Sequence, residues 1–266
     1  MRALFASPLG LLVGLSLGAL GGGGSILAVP ALVYGAGQSP SAATGTSLVV
    51  VGIAALMGMG AHWRAGHVDV RGGLMFSATG AIANVGGSWL NGWLDGDFLL
   101  LGFSVMVLFA AWQMGTQTMT ETTLSASGGA EAAVATIAPA RPRVLVLLVV
   151  GSGVGFLTGL FGVGGGFVIV PALMLVLGYS MARATGTSLL VIAISSAVAL
   201  AGRGGPASLD LGVTVPFVIA AVSGALFGKR LADRMSGPTA TRVFVALLVV
   251  VALYSGIDAM IRITIS

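Results

Sequence analysis

The chain has 266 residues, of which 56% are hydrophobic and 8% charged, whereas an ordinary soluble domain carries charge on about a quarter of its residues. So little charge cannot coat a water-soluble globule. The apolar runs approach the roughly 20 residues that cross a bilayer as a helix. With no cysteine and two histidines, neither a thiolate nor a metal site is expected, and no cofactor. The net charge of +4 comes from residues spread among loops rather than gathered on one face, which argues against nucleic acid as a partner. The expected class is an all-α polytopic membrane protein, multi-pass in the cell (plasma) inner membrane and in contact with lipid.

In chain order, a long apolar segment runs from about Leu4 to Tyr34. It is broken by Gly21 to Gly24 and by Pro30. Four consecutive glycines weaken a helix by roughly 4 kcal/mol relative to alanine, so a straight continuous helix is not expected. A second helix spans about Ala42 to Ala61, with Thr44, Thr46 and Ser47 in its first turns. After the loop His62 to Asp69 a third covers about Val70 to Leu90, and a fourth about Phe98 to Gly115. Asp69, and Asp210 later, are read as side-chain caps on free helix amides. Asn84, within the third helix, is read as an interhelical hydrogen-bonding residue. Residues 117–141 are rich in Thr, Ser, Ala and Gly and read as a linker between a first transmembrane unit, 1–116, and a second, 142–266. The second holds a segment from Val144 to Leu177 broken at Gly162 to Gly166. Helices follow over about Ala184 to Ala201, Leu211 to Leu231 and Arg242 to Met260, with Lys229 and Arg230 opening the turn before the last.

The two units are copies. Residues 18–48 align without a gap on 159–189, and 16 of the 31 pairs are identical, including Gly, Pro, Thr and Ser in one register. The start of the chain has the look of a signal peptide, but its recurrence in mid-chain assigns it to the fold. The expected architecture is therefore two homologous repeats of about four helical segments, the first segment of each broken at its Gly-rich stretch.

If each broken segment spans once, basic residues on the two sides number seven and five. If it doubles back, Arg64, Arg71, Arg141, Arg143, Arg183, Lys229, Arg230, Arg234 and Arg242 face one side, against Arg2, Arg203 and Arg262. The positive-inside rule prefers the second count. That makes the copies inverted repeats, a recurrent design in secondary transporters.

Non-helical backbone at membrane depth needs protein or a watery cavity around it. The breaks free amide N–H groups at helix N-termini, which favour an anion, and the hydroxyls of Thr46, Ser47, Thr187 and Ser188 lie near. The competing reading is that the glycines allow close helix crossing while the hydroxyls bond to their own backbone. His62, Arg64 and Arg203 read either as steering groups or as plain interfacial residues, and Arg183 as an orientation signal. Neither a Ser/His/Asp group nor a carboxylate pair stands at useful spacing, so no enzyme is expected.

Gly162-x-Gly164-Gly165-Gly166-x4-Pro171-x-Leu173, echoed at Gly21 to Leu32 and followed in both copies by Ala-Thr-Gly-Thr-Ser-Leu, resembles the TauE/SafE family of sulfite and sulfonate exporters over nearly the whole chain. The resemblance implies a carrier of sulfur-containing anions such as sulfite, thiosulfate or organosulfonates, working by alternating access around a midplane site. Carried over to matching positions, it implies substrate-binding roles for Gly23, Gly24, Thr46, Ser47, Gly164, Gly165, Thr187 and Ser188, with helix breaks at Pro30 and Pro171. A small anion is the expected partner, with H+ or Na+ as a possible coupling ion. The other readings are a cation-coupled carrier of another solute and a non-transporting membrane scaffold.

Overall fold

The computed structural model describes residues 2–91, 93, 96–126, 143–161, 166–202 and 210–265. These form helices, with no strand among them. The first half holds α1 (Arg2–Leu20), α2 (Gly23–Pro30) continued by a π-helical turn (Ala31–Gly35), α3 (Pro40–Arg64), α4 (Val70–Asn91) and α5 (Gly96–Ala126). The second holds α6 (Arg143–Phe161), α7 (Gly166–Leu175), α8 (Met181–Gly202), α9 (Leu211–Arg234) and α10 (Gly237–Ile265). Helix starts at 143, 181, 211 and 237 answer those at 2, 40, 70 and 96, each 141 residues on. By length and composition, α3, α8, α9 and α10 each contain a span apolar enough to cross a membrane. Leu12, Ile82, Val149, Ile219 and Val250 are exposed, a surface suited to lipid and not to water.

Among the described residues each half has five helices, the segment expected to be broken being two of them, and in the first half these two fold back on each other. Gly21 takes φ +79°, a left-handed conformation that a side chain resists. Beyond it, a Cβ at Gly24 would lie 2.3 Å from the Val13 carbonyl oxygen, and one at Gly35 only 2.1 Å from Leu9. As residue numbers rise along α2, their α1 neighbours fall. The first segment is thus a hairpin and does not cross as one rod.

Pro30 and Pro171 do not break helices. Pro171 lies inside α7, and Pro30 ends α2 where the backbone passes straight into the π turn. Proline removes one N–H and one helical bond, and a short helix held by neighbours tolerates that loss. α5 runs to Ala126, past the expected end near Gly115, because Thr116 to Ala126 contains neither Gly nor Pro to stop it. The rest of the expected linker, 127–141, lies outside the described residues. α10 begins at Gly237, five residues before the expected Arg242, with Pro238 in its first turn where proline is favoured.

The halves are knitted together. α1 packs along α9 and α4 along α6, while α3 meets α8 and α5 meets α10. The first two crossings use glycine on both sides. A Cβ at Gly14 would come within 1.9 Å of the Ala221 carbonyl oxygen, and at Gly18 within 2.0 Å of that of Ala225. A Cβ at their counterparts Gly155 and Gly159 would likewise lie 2.1 Å from the Gly80 and Asn84 oxygens. Backbone-to-backbone contact of this kind is how membrane helices gain dispersion energy where lipid removes the hydrophobic drive. In both crossings the helices run parallel. α3 and its counterpart α8 run antiparallel, since Gly52 faces Ser196, Gly58 faces Leu189 and Gly186 faces His62.

Candidate functional site

The break of the first half is lodged against the second half. A Cβ at Gly22 would lie 2.0 Å from the Gly166 carbonyl oxygen, and one at Gly21 2.5 Å from Ser188 Oγ and 2.9 Å from the Thr185 Cα. Gly166 opens α7, so the start of α7 and the turn into α2 touch. No side chain caps α2 at Gly22, and the first amides of any helix lack intrahelical acceptors. The N–H groups of Gly23 and Gly24 stand at this end. Their side-chain positions serve packing: Gly23 faces Leu247 and Ser16, and Gly24 faces Val13 and Leu17. Gly164 and Gly165 lie outside the described residues.

Thr46, Ser47, Thr187 and Ser188 are all buried, but their hydroxyls differ. Ser47 Oγ donates to the Thr44 carbonyl and Ser188 Oγ to that of Thr185, each at 2.8 Å and three residues back. Their protons are thereby spent within their own helices. Thr187 Oγ1 accepts from the Asp69 backbone N–H at 3.1 Å. Thr46 Oγ1 and Thr185 Oγ1 are buried with no partner. Thr185 was missed by sequence reasoning, although it belongs to the repeated Ala-Thr-Gly-Thr-Ser-Leu run; only the fold sets it beside Gly21.

One end of the α3–α8 contact is latched. Asp69 Oδ1 accepts from the Gly72 N–H at 2.9 Å, the expected cap, and Asp210 does the same for Gly212. The second Asp69 oxygen accepts from Tyr179 Oη at 2.6 Å and from Arg183 at 3.1 Å, and the Arg183 guanidinium stacks over the Tyr179 ring. Arg183 therefore has a structural partner in the other half and is more than an orientation signal. Burial opposes the charge on Asp69, but the hydrogen bonds from Tyr179 and Gly72 and the nearby Arg183 outweigh it, holding its carboxyl below the usual range. Such a group stabilises the fold above its ordinary pKa of about 4 and loses that contribution as pH falls through its lower folded value. We expect the melting temperature of the wild type to fall more steeply than that of Asp69→Asn below about pH 4, as a thermal-shift titration would show.

The equivalent end of the other half shows no such latch among the described residues. The counterparts of Tyr179, Arg183 and Thr187 are Gln38, Ala42 and Thr46. Both polar side-chain atoms of Gln38, like the Thr46 hydroxyl, are buried without a partner. Farther along α4 and α8 from the latch, a cavity of about 150 Å³ lies between α4, α6, α7 and α8. Ser77, Asn84, Thr158 and Ser195 supply its polar lining, and Ile169 of α7 and Val191 part of its apolar wall. At the positions 141 residues away stand Val218, Ala225, Leu17 and Ala54, so this polarity belongs to one half-interface alone. Asn84 accepts from Ser88 of its own helix and lines the cavity; it makes no interhelical bond among the described residues.

His62 is buried, not at an open mouth, and Lys229 is buried within α9 and ion-paired with Asp233 rather than lying in a turn. Arg64 is exposed, and Arg203 lies outside the described residues.

Residues 6–255 match the family described as Sulfite exporter TauE/SafE. The chain belongs to that family. Among its relatives, a "Probable membrane transporter protein" of Xylella fastidiosa (strain 9a5c) is 34% identical over 91% of this chain and 90% of its own length. The "Probable membrane transporter protein YunE" of Bacillus subtilis (strain 168) is 26% identical over 93% of each chain. No solved structure matches the chain. As a TauE/SafE protein with apolar spans, it is a multi-pass membrane transporter.

Proposed function

We propose that the chain is a secondary transporter, working as an exporter, of small sulfur-containing anions such as sulfite, thiosulfate or organosulfonates. The observation that carries this reading is the meeting of the two breaks, Gly22 against Gly166, beside the buried and unpartnered Thr185 hydroxyl. Free amides at a helix start and an unspent hydroxyl are donors without acceptors, and an anion supplies acceptors without donors. On this reading Gly23 and Gly24 offer amides and Thr185 its proton. Through the 141-residue offset, Gly164 and Gly165 play the matching part in the second half; the counterpart of Thr185 is Thr44, and the buried, unpartnered hydroxyl of Thr46, two residues on, is the donor the first half offers. Ser47, Thr187 and Ser188 are held by backbone bonds in this state and contribute oxygen lone pairs or new donors only after rearrangement.

The mechanism that fits is alternating access between inverted repeats. Antiparallel packing of α3 on α8 supports the inversion. The latch at one end and the loose Gln38 and Thr46 at the other support two different conformations in one state. Transport then exchanges them: Asp69 leaves Thr187 while the Asp210 turn closes on Thr46. Radiolabelled sulfite, thiosulfate and a sulfonate in liposomes test the proposal. Flux well above empty vesicles for at least one is expected, and the empty-vesicle rate for all three contradicts it.

A further inference from the structure

His62 is the ionisable side chain built into the junction between the break and the second half. It lies within the apolar span Ala42–Arg64 and is 2% exposed. An ionisable residue buried at such a place is costly unless it works. Its Nε2 lies 3.1 Å from the carbonyl oxygen of Gly18, three residues before the left-handed Gly21. A carbonyl only accepts, so Nε2 carries the hydrogen and, in the neutral ring, Nδ1 holds a bare lone pair. That Nδ1 is buried with no partner. On its other flank, Gly186 packs against the His62 side chain, a Cβ there standing 3.2 Å from that of His62. Gly186 sits between Thr185 and Thr187. The ring therefore ties the last turn before the break to the Thr-Gly-Thr segment that the break rests on.

The charged and titratable groups that reach it are Lys229 and Asp233 from α9 and His67 from the loop after α3. α1 presents only its Gly18 carbonyl and α8 only Gly186. Lys229 is buried and ion-paired with the half-exposed Asp233. The His67 ring, partly buried outside the helix and with its Nδ1 buried and unpartnered, lies 6.3 Å from that of His62 and follows the exposed Ala65 and Gly66 in the chain.

We propose that His62 Nδ1 is a proton-binding site coupled to anion binding at the neighbouring break, so that the chain carries a proton and an anion together. This rests on the transport reading above. One proton from water adds to Nδ1 by way of His67, making the ring a cation with both nitrogens protonated. The cation beside Lys229 is tolerated when an anion occupies the break. When the opposite side opens, the anion and the proton both leave to water, and the ring returns to neutral. By linkage, a proton that favours the anion is favoured by it to the same degree. Position 203, the counterpart of His62, is an arginine, which cannot release its proton, so the coupling group is single.

The test uses the purified full chain with thiosulfate, which stays a dianion over pH 5.5 to 8, so protons counted belong to the protein. In weak buffer, wild type should take up about one proton per thiosulfate bound, and its affinity should rise by up to about tenfold per unit fall in pH. His62→Gln keeps a donor for Gly18 and should bind thiosulfate with no proton uptake and a flat pH profile. His67→Gln should keep the uptake but slow it. Unchanged uptake in His62→Gln overturns the proposal. If that variant does not fold, 15N spectra of the wild-type imidazoles decide, an Nδ1 of His62 unaltered by thiosulfate being the overturning result. A wild type that moves thiosulfate in liposomes yet binds it without protons overturns the coupling alone. One that binds neither thiosulfate, sulfite nor a sulfonate overturns the transport reading with it.

Discussion

Gly22→Val is expected to yield little or no monodisperse protein, at least tenfold below wild type by size-exclusion chromatography, and no anion flux from what remains. Valine is the residue at the equivalent position 163 of the second half, so the substitution merely makes the copies more alike. A Cβ at Gly22, however, would stand 2.0 Å from the Gly166 oxygen and 2.8 Å from the Phe167 Cα. Both are backbone atoms, and relieving them means prising α7 from the α1–α2 turn. Overpacking at a site able to give costs about 1–3 kcal/mol, and here the neighbours on both sides are main chain. Gly60→Ala, where nothing lies within 4 Å, should be neutral in the same assay. Equal yields for the two variants would show that the breaks do not meet.

Thr185→Val should separate stability from transport. The change keeps the shape and deletes a hydroxyl that is buried and has no partner. A buried polar group left unsatisfied costs about 1–3 kcal/mol, so the melting temperature should hold or rise. An anion that takes a hydrogen bond from that hydroxyl loses a charge-assisted bond worth about 1.5–3 kcal/mol, and flux should fall by roughly tenfold to a hundredfold. A variant that is both less stable and fully active would mark Thr185 as a packing residue.

Much of this was legible in the chain itself. The duplication was legible, because Gly, Pro, Thr and Ser at matching places cannot come from shared apolar composition; the helix starts keep its 141-residue offset, although the last was expected at Arg242 and lies at Gly237. The caps at Asp69 and Asp210 followed from residue type and position. The break at Gly21 was legible because four glycines disfavour a helix, and the count of basic residues already favoured a chain that doubles back there; the approach of Gly24 to Val13 shows the turn itself. Pro30 and Pro171 misled because proline propensity is measured in isolated helices, and here neighbouring helices hold the segment. The chemistry was harder to see. Asp69 and Arg183 lie 114 residues apart, and no local pattern announces a bond across that distance. The four hydroxyls looked equivalent in sequence. They differ because Ser47 and Ser188 reach their own carbonyls, Thr187 meets Asp69 and Thr46 meets nothing. His62, at the end of an apolar run and next to Trp63 and Arg64, read as interfacial until α1 and α8 closed over it.

The proposed transporter holds one anion site, where the two breaks meet, with hydroxyls from both halves, Thr46 and Thr185. Equilibrium binding of 35S-thiosulfate to the purified chain tests it most directly. One anion per chain is predicted, with Thr185→Val and Thr46→Val each lowering affinity for that single site. Two independent anions per chain, each lost with its own threonine, would contradict it, as would saturable binding that neither substitution alters.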